Sequence, residues 1–150
     1  MADRAPERIE VTGLDDYLDV MSRVVFQSGM SWKVVEAKWP DTRAAFHDFD
    51  VERVARMSDA EVDALCEDTR VIRNRRKLQA VVSNADKLLD LDDRPGGFRA
   101  FLREHDDYWA AAKAVRKEFK FMGDMGIYYF MYVVGEDVPP HEEWKSRTGR

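Results

Sequence analysis

Cysteine is almost missing from this chain: Cys66 stands alone. An internal disulfide is therefore excluded, and so is any metal site built on paired thiolates. Histidine is scarce as well, and His47, His105 and His141 are scattered without the spacing of a ligand pair. No apolar run approaches the length that spans a bilayer, and the opening MADRAPERIE lacks the apolar stretch of a secretory signal. The expectation is a cytoplasmic protein. Strand-type alternation, internal repeats and low-complexity linkers are missing too. What remains is 150 residues, 45% hydrophobic and 35% charged, enough for one domain with a sizeable core.

A net charge of −5 argues against a generally basic nucleic-acid binder, but the charge is unevenly placed. DFDVERVARMSDAEVDALCED is acidic. RVIRNRRK, Arg70 to Lys77, holds five positive charges and no acid, and KAVRKEFK, Lys113 to Lys120, is also basic. Each run alone reads as a solvated helix face; two of them on an acidic chain suggest one anion-binding face.

The whole chain reads as helix. Thr12 stands where it can cap a stripe of Leu14, Leu18, Met21 and Val25. Ser31 can cap Trp32 to Trp39, and Pro40 ends that helix or opens the next. Asp50 can cap VERVARM, and Ser58 with Glu61 forms a capping-box pattern. Leu78, Val81, Val82, Ala85, Leu88 and Leu89 carry the clearest helical period, which RPGG breaks. FRAFLREH and YWAAAKAVRKEF follow, then the turn FKFMGDMG, then IYYFMYVV closed by Gly135. The reading is a single all-α domain over residues 14–135, with an N-terminal arm at 1–13 and an irregular tail at 136–150.

Two turns carry the chemistry. In FKFMGDMGIYYF, Gly123 and Gly126 sit between a basic helix and an apolar one. Such a turn can present backbone amides at a helix N-terminus to a phosphate; its plain alternative is an ordinary corner. In FQSGMSW, Gln27 and Met30 project from a turn where they can wedge into a base stack, and Trp32 offers a face on which a base can stack. The alternative is that Met30 and Trp32 pack under the turn.

GMSW, AFHDFDVERVARM, VIRNRRKLQAVVSNA and FKFMGDMGIYYFMYVVG, in that order, resemble segments of the bacterial DNA-3-methyladenine glycosylase I family, a branch of the helix-hairpin-helix DNA glycosylases. The resemblance spans roughly residues 14–135. It implies hydrolysis of the N-glycosidic bond of alkylated purines in double-stranded DNA after the nucleotide is turned out of the stack. It also implies that Gln27, Gly29 and Met30 fill the gap so left. Trp32 lines the base pocket, the hairpin at Gly123 to Gly126 holds a phosphodiester, and Arg73 and Lys77 lie on the nucleic-acid side. Lys117 and Lys120 extend that face. Tyr128 or Tyr129 can complete the aromatic pocket.

The chain also departs from the family. The family glutamate that hydrogen-bonds the base falls eight residues before the tryptophan, where this chain has Val24. The N-terminal zinc ligands and pocket aromatics are missing, so no zinc and no other cofactor is expected. A cationic alkylpurine needs no general acid to leave, and stacking plus a carboxylate near the sugar can suffice. Asp124, Asp16 and Asp19 are the acids to examine. Two alternatives stand beside the enzyme reading: a helix-hairpin-helix module that binds DNA damage without excising the base, and a helical scaffold whose hairpin is mere packing.

Overall fold

The computed structural model describes residues 6–149. The helices are α1 (Leu14–Gln27), α2 (Trp32–Ala45), α3 (Val51–Ala55), α4 (Asp59–Leu65) and α5 (Arg75–Asp92). They are followed by α6 (Gly97–Arg103), α7 (Tyr108–Glu118), α8 (Asp124–Val133) and α9 (His141–Thr148). No strand occurs among the described residues, and no helix among them is long and apolar enough to cross a membrane. Of the N-terminal arm, residues 1–5 lie outside the described residues.

The long helix α5 is the spine. Its face of Leu78, Val81, Ala85 and Leu88 is fully buried, and α1, α3, α4 and α6 all pack on it. Asn74 opens it by accepting the amide of Lys77. Asp50 caps α3 through the amides of Glu52 and Arg53, and the Ser58–Glu61 capping box is complete. Asp107 caps α7 by accepting from Ala110.

Three expectations fail locally. The first cap is Gly13, not Thr12; the Thr12 amide and hydroxyl instead donate to Asp16. α2 runs straight through Pro40 to Ala45. The proline costs one amide donor, but Trp39 just before it and Thr42 and Ala45 beyond it are buried, and that packing holds the helix together. The tail is not irregular. α9 follows Pro140 as its N-cap, with Glu142 and Glu143 in its first turn and Lys145 and Arg147 in its last, matching the helix dipole. Trp144 anchors it, buried 4.9 Å from the Tyr128 ring.

Backbone strain is concentrated between α2 and α3. His47, Asp48 and Phe49 are consecutive non-glycine residues at φ of 57°, 56° and 56°. Left-handed backbone costs L-residues about 1–2 kcal/mol each. Phe49 repays part of this by stacking between Trp39 at 5.3 Å and Phe46 at 5.5 Å. His47 itself lies beside Arg53 and Glu61 and serves the turn.

Candidate active site and nucleic-acid interface

The turn between α1 and α2 is fastened from below. Gly29 ends α1 at φ 73°, the left-handed position that glycine supplies without strain. The ammonium of Lys77, on the first turn of α5, donates to the carbonyls of Phe26, at 3.0 Å, and Ser28. This corrects the sequence reading. Lys77 is buried and is not available to a phosphate; its charge instead meets the negative end of α1, and desolvation lowers its pKa. Arg73, just ahead of α5, is exposed as expected. Above the tether, Met30 and Trp32 are exposed, Trp32 by 43%. Gln27 is half-buried, and its amide nitrogen is enclosed without a hydrogen-bond partner.

The hairpin between α7 and α8 is fastened to the same helix. Asn84 of α5 accepts the Lys120 amide at 2.9 Å and donates to the Lys120 carbonyl at 3.1 Å. Phe121 takes φ 59° at the tip and is exposed, and Met125 is 61% exposed. Lys117 and Lys120 face solvent. Gly123 is the N-cap of α8 and gives no side-chain cap, so the amide dipoles of the first turn point outward. A Cβ at Gly123 would meet nothing within 4 Å, and its φ is −88°. The fold itself does not demand glycine there; an approaching ligand backbone would.

Gly126 has a different reason to be glycine. A Cβ there would lie 2.5 Å from Cγ1 of Val24, so it is the point where α8 closes on α1. Val24 is correspondingly sealed in that contact and is not part of the lining of the cleft that holds Trp32 and Tyr129, contrary to the sequence reading. Gly126→Ala is expected to cost about 1–3 kcal/mol by overpacking. With Val24→Ala added, the double variant should be more stable than the sum of the single losses by about 0.5–3 kcal/mol. Purely additive losses in urea unfolding would show that the two positions do not press on each other.

The open cleft lies beside this contact, with a volume of ≈ 470 Å³. Trp32 and Tyr129 form its aromatic wall, edge to face with centroids 5.4 Å apart. Burial raises the Tyr129 phenol pKa, Arg23 opposes that shift and Glu36 reinforces it. Asp16, Asp19 and Glu36 line the cleft with Arg23, while Glu7 and Glu10 come from the N-terminal arm. Five carboxylates thus face one guanidinium there. Asp16 is held by Thr12. Asp19 is bound by the Trp39 indole N–H at 2.8 Å and by Arg43. Arg23 bonds Glu36 at 2.8 Å.

Two predicted residues belong elsewhere. Tyr128 points to a different side of α8, donates to the Pro139 carbonyl at 2.7 Å and packs on Trp144. Neighbouring residues on one helix diverge by about 100°, so Tyr128 and Tyr129 cannot share the cleft. Asp124 bonds Arg116 at 2.6 Å in a separate groove. Glu36 was missed by the sequence reading, although it stands one turn after Trp32 on the same helix face.

The methyladenine glycosylase family model matches residues 15–118. DNA-3-methyladenine glycosylase 1 of Escherichia coli K12 is 32% identical, over 73% of this chain and 70% of its own length. The chain belongs to this family. The Haemophilus influenzae DNA-3-methyladenine glycosylase is 30% identical over the same shares. A crystal structure of 3-methyladenine DNA glycosylase I superposes with a TM-score of 0.72 at 30% identity, covering 85% of this chain and 81% of that one. His47 stands by Arg53, His105 against Phe101 and His141 on Trp144. No group of three potential ligands occurs among the described residues.

Proposed function

We propose that the chain is a base-excision repair glycosylase that releases cationic alkylpurines of the 3-methyladenine class from double-stranded DNA, without a metal. The observation that carries this reading is the pairing of an exposed indole with an acid-rich cleft beside an uncapped hairpin helix. The hairpin amides, with Arg73, Lys117 and Lys120, take the phosphodiester. Met30, the exposed side chain of the α1–α2 turn, enters the stack, and Gln27 supports the turn beneath it. The extruded base stacks on Trp32 with Tyr129 at its edge, and the carboxylates favour a cation over a neutral base.

Chemistry then needs little more. The N-glycosidic bond breaks, its electron pair leaves with the base, and the positive charge passes from base to sugar. Asp16 and Glu36 stabilise the oxocarbenium-like sugar and accept the proton of the water that adds to C1′. Asp19, already bound on both sides, positions Arg43 and Trp39. With nothing to protonate a neutral leaving group, excision is confined to weak glycosidic bonds. Single-turnover assays should release 3-methyladenine from alkylated duplexes and leave hypoxanthine and uracil in place. Efficient release of either neutral base, or no release of any alkylpurine, contradicts the reading. The burial of Val24 favours one alternative, a module that binds damage without excision; binding in the absence of release would select it.

A further inference from the structure

We infer that the groove between α7 and α9 is a second DNA contact, taking a phosphate of the strand that runs on from the hairpin. This rests on the reading of the chain as a DNA-binding enzyme. The groove, ≈ 340 Å³, is lined by Trp109, Lys113, Arg116, Asp124, Trp144 and Arg147. Three cations meet one carboxylate there, on a chain whose net charge is −5.

The cations are not equivalent. Arg116 is countered by Asp124 at 2.6 Å. Elsewhere in the fold, Arg23, Arg43, Arg70, Arg75, Arg94 and Arg103 are likewise bound to carboxylates. Lys113 and Arg147 have no carboxylate partner among the described residues. Arg147 lies 4.2 Å over the Trp109 ring; stacking of this kind orders a guanidinium before its ligand arrives, so less entropy is lost on binding.

Position selects the ligand. Asp124 lines the groove and is also the first residue of α8, directly after Gly123. The groove therefore abuts the amides that point out of the hairpin. Lys113 and Lys117 stand one turn apart on α7, so the positive charge steps from the groove to Lys120. A nucleic-acid strand presents phosphates along such a path. The half-buried Trp109 offers an apolar wall that suits the face of a deoxyribose between two phosphates, while Trp144 is buried beneath the groove.

The experiment is equilibrium binding of the full chain to an undamaged duplex across a salt series. Lys113→Ala/Arg147→Ala should lower the slope of log affinity against log salt by about 0.9, the release of one phosphate contact. Lys113→Arg/Arg147→Lys should keep the wild-type slope. A thermal melt equal to wild type shows that the alanine variant is folded. A wild-type slope in the folded alanine variant overturns the inference. Base release by the wild-type chain, measured alongside, separates the two readings. A reduced slope without any wild-type release supports the groove and sinks the glycosylase; release with an unchanged slope does the reverse.

Discussion

Val24→Glu is expected to destabilise the domain by about 3–5 kcal/mol, the scale of an uncompensated buried charge, and to add no activity. The family resemblance alone suggests the opposite, because a glutamate at this point of α1 would seem to complete a base pocket. The structure places the Val24 side chain against Gly126, 4% exposed and outside the cleft. A longer acidic side chain there must displace α8 or leave its carboxylate without a partner. Burial raises the pKa of such a carboxyl above its unfolded value. The deficit should therefore grow as pH rises through the ordinary carboxylate range and shrink in acid, where the group is protonated in both states. Urea unfolding at several pH values measures it. Faster 3-methyladenine release with undiminished stability would mean that the helix aims position 24 into the cleft after all.

Trp32→Ala should cut base release by roughly 5–150-fold, because base–aromatic stacking is worth about 1–3 kcal/mol. Its cost to stability should stay well below the 3–5 kcal/mol typical of a large aromatic→Ala change in a core. The indole is 43% exposed and meets the Tyr129 ring edge to face. The loss should appear in single-turnover rate on alkylated DNA, with the melting transition close to wild type. Unchanged release, or a fold that collapses, would return Trp32 to a packing role.

Much of the fold was legible because periodicity and caps are local. The stripe of α5 and the caps at Asp50 and Ser58 stand where short-range rules put them. Pro40 misled because tertiary burial of Trp39, Thr42 and Ala45 outweighs one lost amide donor. α9 was missed for a similar reason: it is held by Trp144, buried against Tyr128 of α8. At the site, Trp32 meets Tyr129, one of the two tyrosines that the sequence reading left open beside it. Tyr128 and Lys77 do not face the ligand side, because helix phase and the demand of buried carbonyls decide direction, and neither shows in a charge run. Glu36 was readable from its spacing to Trp32, four residues on along α2.

Lys77 and Asn84 stand seven residues apart on α5, one holding the α1–α2 turn and the other the hairpin. Seven residues are two turns, about 10.5 Å of rigid rise on one face. The helix thus works as a gauge block: the separation between the element entering the base stack and the element gripping the backbone is a property of α5, not of either loop. Thermal wobble in the loops leaves that separation untouched, so the reach from phosphate to extruded nucleotide is calibrated before DNA arrives.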